Sequence, residues 1–317
     1  MAIRWWGDKR EWGVICGTKE AEIISVKILD GRGKESGKFE VNDKIIVKAY
    51  FRVNDEVREP HFGVAIFRDD NVYCYGPNTQ FDGYKIDKLA KGEGWFSIEY
   101  EEMALMPGKY KLSVGIWDKK ELLPYSFHIT RYNFMIKGCN KNKQLLFLPC
   151  SFDNGKSDGL SIPKSPVSVD PDFLKKRWLR RIPLKDPQAI GISSIQLTDI
   201  EGKAKVLFNT NELLKVGIEI EGQVQDHYFI WVGIYRADDI YCHGITKELT
   251  RDEKILSFVY PQLKLLHGEY YISVGIWQKN QWKPVFYKQK ASVFKMSFLG
   301  EDHGTVYLEH RWEWRIP

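Results

Sequence analysis

Tyr110-Lys-Leu-Ser-Val-Gly-Ile-Trp117 returns 160 residues later as Tyr270-Tyr-Ile-Ser-Val-Gly-Ile-Trp277, with six of the eight residues identical. Upstream, Ile66-Phe-Arg-Asp-Asp-Asn-Val-Tyr-Cys-Tyr-Gly76 reappears at an offset of 168 as Ile234-Tyr-Arg-Ala-Asp-Asp-Ile-Tyr-Cys-His-Gly244, identical at six of eleven positions. Further upstream, Ile23-Ile-Ser-Val-Lys-Ile-Leu-Asp30 aligns at an offset of 169 with Ile192-Ser-Ser-Ile-Gln-Leu-Thr-Asp199. The shrinking offset means that the second copy lacks eight residues between its middle hairpin and its Gly-Ile-Trp strand. A period this long exceeds the roughly 20 to 50 residues of a solenoid unit, so the chain holds two tandem domains of ordinary size.

Each copy shows short alternating runs rich in Val, Ile, Tyr and Phe, such as Lys44 to Val53 and Lys109 to Trp117, broken by turn residues. This pattern predicts an all-β chain of two tandem immunoglobulin-like or jelly-roll β-sandwiches. Arg68-Asp-Asp-Asn71 reads as a polar turn closing a hairpin, because Asn and Asp tolerate the left-handed region. Residues 1–140 form the first repeat and 188–317 the second. The intervening 141–187 contain Pro149, Pro163, Pro166, Pro171, Pro183 and Pro187 and read as a linker. Within it Asp170-Pro171 supplies an N-cap and a first-turn proline, which predicts one short helix. Arg177-Trp-Leu-Arg-Arg-Ile-Pro183 is echoed by Arg311-Trp-Glu-Trp-Arg-Ile-Pro317, the pattern expected of a segment of a longer protein.

The net charge of +5 is small beside 47 basic and 42 acidic residues, and the one dense basic run is Lys175 to Arg181, so no nucleic-acid partner is expected. No apolar stretch reaches the roughly 18 residues of a membrane span, and no signal-peptide core is present, so no membrane insertion is expected. Cysteines number five, and only Cys74 and Cys242 occupy equivalent places. A repeated disulfide would need an equivalent partner in each copy; reduced thiols and a cytoplasmic location follow.

Strand parity turns the repeat into a surface expectation. Tyr110, Leu112, Val114 and Ile116 fall on one face, the core, while Lys111, Ser113, Gly115 and Trp117 fall on the other. In the second copy that other face carries Tyr271, Ser273, Gly275 and Trp277. The partner strands add Gly63, Ala65 and Phe67 in copy one and Trp231, Gly233 and Tyr235 in copy two. Small residues beside aromatic walls suit a sugar ring, whose C–H groups pack on aromatic faces while its hydroxyls seek rim donors and acceptors. The rim candidates are Arg68, Tyr75, Asn78 and Thr79 in copy one and Arg236, His243 and Thr246 in copy two. The competing reading has Trp117 and Trp277 completing a core or an interface, with no open groove. Copy two is the stronger platform.

Catalytic constellations are poor. Asp69 and Asp70 become Ala237 and Asp238 in copy two, so a paired-carboxylate site fails there. The seven histidines form no His-x-x-x-His, no Cys-x-x-Cys occurs, and the position that would begin a phosphate-binding loop is Cys150. No metal, no cofactor and no enzymatic activity are expected.

The succession Glu22-Ile-Ile-Ser-Val, Phe62-Gly-Val-Ala-Ile-Phe-Arg-Asp-Asp, Tyr75-Gly-Pro-Asn-Thr79 and Pro107-Gly-Lys-Tyr-Lys-Leu-Ser-Val-Gly-Ile-Trp117 resembles the Wzt C-terminal domain. That domain is the carbohydrate-binding module of the ATPase subunit of O-antigen and related polysaccharide ABC transporters. The resemblance covers most of residues 12 to 136 and, more loosely, 190 to 298. It implies a cytoplasmic β-sandwich, peripheral to the inner membrane through its transporter, that binds a cell-surface polysaccharide before export. It further implies ATPase and permease subunits as partners, and a homodimer formed through a C-terminal strand, here Thr305 to Trp314. No ATPase domain lies in this chain, and Gly244-Ile-Thr246 departs from Gly76-Pro-Asn-Thr79, so the two copies need not share a ligand. The alternative is a structural or protein-interaction tandem without glycan binding.

Overall fold

The computed structural model describes residues 13–119, 123–138, 140, 144–153, 190–224, 228–251, 253–278 and 284–317. The helix expected from Asp170 and most of the linker fall outside these residues. The described chain is all-β and divides into two compact units. Unit 1 comprises Met1–Cys139 together with Leu299–Pro317, and unit 2 comprises Asn140–Phe298.

The strands of unit 1 are β1 (Ile15–Cys16), β2 (Ala21–Asp30), β3 (Lys38–Phe39), β4 (Ile45–Val53), β5 (Val57–Arg58), β6 (His61–Arg68), β7 (Tyr73–Gly76), β8 (Lys88–Leu89), β9 (Gly92–Tyr100), β10 (Gly108–Trp117) and β11 (Pro124–Ile136). Those of unit 2 are β12 (Ser151–Asp153), β13 (Gly191–Thr198), β14 (Leu207–Asn209), β15 (Leu214–Glu221), β16 (Tyr228–Arg236), β17 (Tyr241–Glu248), β18 (Ile255–Tyr260), β19 (Gly268–Gln278) and β20 (Pro284–Ser297). The chain then adds β21 (His303–Gly304) and β22 (His310–Arg315) to unit 1.

The two units share one plan. One sheet runs β2-β4-β9-β22 in unit 1 and β13-β15-β18-β12 in unit 2. The other contains β11-β10-β6-β7 in unit 1 and β20-β19-β16-β17 in unit 2, each with a short parallel strand, β3 or β14, on its outer partner. Even the register repeats: Ser113 faces Ala65 and Ser273 faces Gly233, the same pair displaced by the two offsets. Alternation explains the core. Ile45, Val47, Ala49, Phe51 and Val53 of β4 point inward, as do Tyr110, Leu112, Val114 and Ile116 of β10, and all are buried. Each buried Val, Leu, Ile or Phe among them contributes about 1.5 to 3 kcal/mol.

The hairpin turns form as the sequence requires. Asn71 and Asp239 take the left-handed conformation, with φ of 70° and 68°, and the Arg68 amide donates to Val72 as Arg236 does to Ile240, both at 3.0 Å.

The units part from the sequence-drawn boundaries at two places. Residues 299–317, assigned to the second repeat by sequence, lie in unit 1, where β22 pairs with β9 and β21 with β7. Residues 140–153, which follow the first sandwich, lie in unit 2, where β12 pairs with β18. The two tails correspond. The amides of Thr305 and Val306 donate to Cys74 O at 2.9 and 3.0 Å, and those of Leu145 and Leu146 donate to Cys242 O at 3.1 and 2.9 Å. All four residues sit at the same offset of 160 that relates the Gly-Ile-Trp strands. The C-terminal strand expected to serve a second copy therefore pairs with β9 of its own chain.

Candidate functional site

The face of β16 and β19 turned away from the unit 2 core carries Trp231, Tyr235, Tyr271 and Trp277, and Tyr241 of β17 and Tyr287 of β20 join them in one cluster. Pleat parity puts the rings there, while Ile230, Val232 and Ile234 fill the core behind them. Tyr235 stacks on Tyr271 at 5.1 Å with the planes 6° apart, and Trp231 meets Trp277 edge to face at 6.1 Å. Offset and edge-on pairs of this kind contribute about 0.5 to 1.5 kcal/mol beyond the area they bury.

The glycines between the rings are their seats. A Cβ on Gly275 would overlap the Trp277 ring, and one on Gly233 would overlap Trp231. In unit 1 a Cβ on Gly115 would likewise overlap Trp117, whose ring packs on Phe127 at 4.9 Å. The small-plus-aromatic pattern thus folds each indole down onto bare backbone. Trp117 and Trp277 are 6% and 8% exposed, and Trp231 is 2% exposed. That burial matches the competing reading of these tryptophans.

Polar groups frame the cluster at one end. Tyr271 O–H donates to Asp239 Oδ1 at 2.6 Å, and the Lys290 ammonium stands 4.9 Å from the centroid of the same ring. Asp239 and Lys290 are exposed, and Tyr287 is partly so. Burial, followed by the bond to Asp239, raises the Tyr271 phenol above its ordinary range, so it stays a donor at neutral pH. The Trp231 indole donates to Tyr241 Oη at 3.3 Å.

The rim candidates separate into four groups. Arg68 and Arg236 belong to the turns, each clasping a carboxylate two residues on through two bonds: Arg68 to Asp70 at 2.8 and 2.8 Å, Arg236 to Asp238 at 2.9 and 2.6 Å. Asn78 and Thr79 are buried and fix the chain beside β6: Asn78 Oδ1 accepts from the Phe81 amide at 2.8 Å and Thr79 Oγ1 from the Phe62 amide at 3.0 Å. Thr246 is opposite Trp231 in the ladder.

Tyr75 and His243 turn inward, a correction to their placing on the rim. A register shift between Tyr241 and His243 leaves His243 paired with Ile234, so it shares that residue's core-facing side. His243 is 5% exposed, and burial lowers its imidazole to about 4, so it is neutral. Tyr75 is fully buried and donates to Asp302 Oδ2 at 2.6 Å. Phe67 stacks on Tyr73 at 4.8 Å. Sequence reasoning passed over Tyr241, Tyr287, Asp239 and Lys290. The offset of 160 already paired Tyr287 with Phe127, and that aromatic match was the available signal.

Among the described residues no group of three or more His, Cys, Asp or Glu could hold a metal ion. No described helix is long and apolar enough to cross a membrane.

The family model of the Wzt C-terminal domain matches residues 14–147. These residues form a Wzt C-terminal-like domain. The matched span of the Wzt-like domain passes Cys139 into the tail that unit 2 contains, so that tail belongs by sequence to the first module. Unit 2 lies otherwise outside the match and is tied to the Wzt-like domain by its repeated sequence, strand order and register. Among solved structures, the C-terminal domain of wzt is similar at 16% identity over 48% of this chain and 92% of that one, with a TM-score of 0.39. CopC from Methylosinus trichosporium OB3b is similar at 16% identity over 33% of this chain and 96% of that one, with a TM-score of 0.22. No curated protein sequence matches the chain.

Proposed function

We propose that the chain is a non-catalytic glycan-recognition element of a polysaccharide ABC transporter, with unit 2 as its principal binding unit. The observation that carries this reading is the six-ring cluster on the outward face of β16, β17, β19 and β20, framed by exposed Asp239 and Lys290. A pyranose lays its C–H groups on ring faces and its hydroxyls against a carboxylate acceptor and an ammonium donor, both of which stand at the rim here. Tyr287, the least buried of the rings, is the stacking surface, and Trp231 and Trp277 hold it from behind. The partners are the polysaccharide and the ATPase and permease subunits, and the place of action is the cytoplasmic side of the inner membrane.

Calorimetric titration of the whole chain with polysaccharide from the producing strain tests the proposal. Tyr287→Ala and Asp239→Ala should each weaken binding about tenfold, a loss of about 1.4 kcal/mol. The second reading, a structural tandem, is favoured by the burial of Trp117 and Trp277. It expects no heat of binding, with the same substitutions changing stability alone.

A further inference from the structure

Among the described residues, a dense set of titratable side chains away from the aromatic face lies where the C-terminal segment seats on unit 1. His310 Nε2 is 2.9 Å from Asp82 Oδ2, and the Trp312 indole donates to that same oxygen at 2.6 Å. His310 Nδ1 is 3.0 Å from Leu308 O and 3.1 Å from Tyr75 Oη. Tyr75 spends its own proton on Asp302 Oδ2 at 2.6 Å, so it offers His310 a lone pair. A carbonyl, a carboxylate and a phenol already donating elsewhere can only accept. Both ring nitrogens of His310 therefore carry protons, and the ring is an imidazolium.

This cation is enclosed, its side chain 6% exposed and that of Asp82 19%. The titratable groups around it are Tyr75 from β7, Asp82 from the loop beyond β7, Tyr100 from β9, and Asp302, Tyr307 and Glu309 from its own segment. Asp302 is 2% exposed, and its Oδ1 has no hydrogen-bond partner.

We propose that residues 302–312 are a proton-operated clamp: charged His310 tightens the hold of unit 1 on β21 and β22, and loss of its proton loosens that hold at β7 and β9. Two titrations act in the same direction. Burial is the largest single influence and opposes the charge on His310, but the bond and charge of Asp82, the Leu308 carbonyl and the charge of Asp302 together outweigh it and raise the imidazole above 6.5, so clamping is complete below 6.5 and fades as pH climbs through the raised value. Burial raises the Asp302 carboxyl above 3.8, so ionising it also loosens the seat as pH rises.

Unit 2 supplies the internal control. Cys150 occupies the place of His310, and Asp82 lies in the stretch where unit 1 has eight extra residues. The equivalent amides are Thr305 and Val306 in the clamp, and Leu145 and Leu146 without it.

Amide exchange of the full chain, read by NMR at pH 5.5 and 8.5 and corrected for intrinsic rates, decides the matter. Protection of Thr305 and Val306 should fall at least tenfold relative to Leu145 and Leu146 over that range. A ratio constant within twofold overturns the proposal, as does a His310 ring titrating at or below 6.5. In H310Q, or in D82N if the first does not fold, the ratio should lose its pH dependence; a fall as large as in the unsubstituted chain also overturns it.

Discussion

Unit 1 and unit 2 receive their last strand from the segment that trails the other repeat, yet the two seats differ in kind. In unit 2 the tail forms a three-residue strand, Ser151–Asp153, with Leu145, Leu146 and Leu148 fully or nearly fully buried before it. In unit 1 it forms a six-residue strand, His310–Arg315, anchored by a buried cation, an indole bond to Asp82 and an edge-on contact of Trp314 with Tyr84 at 5.3 Å. Asp82 and Tyr84 both come from the loop that unit 2 has in shorter form. The eight extra residues of unit 1 thus have a physical task, gripping the tail. The outer faces differ the other way: unit 2 invests in aromatic rings, and unit 1 has Gly63 and Lys111 where unit 2 has Trp231 and Tyr271.

The sharpest way to break the comparison is to end the chain at Phe298. Val306 and Leu308 are wholly buried and Trp312 is 4% exposed, so unit 1 should lose about 5 to 8 kcal/mol. That is comparable to a domain's whole stability of about 5 to 15 kcal/mol, and amide spectra should show unit 1 signals collapsing while unit 2 signals persist. Trp231→Ala should cost unit 2 about 3 to 5 kcal/mol in chemical denaturation, because the ring is buried among its neighbours. D82N should cost unit 1 about 2 kcal/mol at pH 6, and less as pH climbs through the raised His310 value, as followed by thermal melts over that range. Gly275→Ala should cost about 1 to 3 kcal/mol by forcing Trp277 off its seat, with a matching change in tryptophan fluorescence. The smallest effect is expected from Asp238→Ala, under 1 kcal/mol by denaturation, since its ion pair with Arg236 is about half exposed on the acidic side.

Much of this was legible in the sequence. Two octapeptides with the same alternation predicted the tandem sandwiches, and parity assigned the core residues of β10 and β19, while most of the residues it put on the other side proved buried as well. What parity could not show was whether an outward ring stands up or lies down. That depends on the bare backbone at Gly115, Gly233 and Gly275, which admits a ring lying flat. His243 and Tyr75 were misplaced because an irregularity in the ladder on each β17 and β7 hairpin resets which side a residue takes. The tails escaped notice because Leu148 and Leu308 are their one identical pair among the three positions buried in both, while the hydrogen-bonding plan they share is a property of the backbone.

The late arrival of β22 also fixes an order of events during synthesis. Its Trp312 is paired with Ile98, more than two hundred residues earlier, whereas β12 meets β18 across about a hundred. At roughly 5 to 20 residues per second, the ribosome needs roughly 10 to 35 s after Cys139 to deliver that last strand. The unit that begins first is therefore finished last, and through that interval the edges of β7 and β9 are unpaired, long enough for a chaperone to matter.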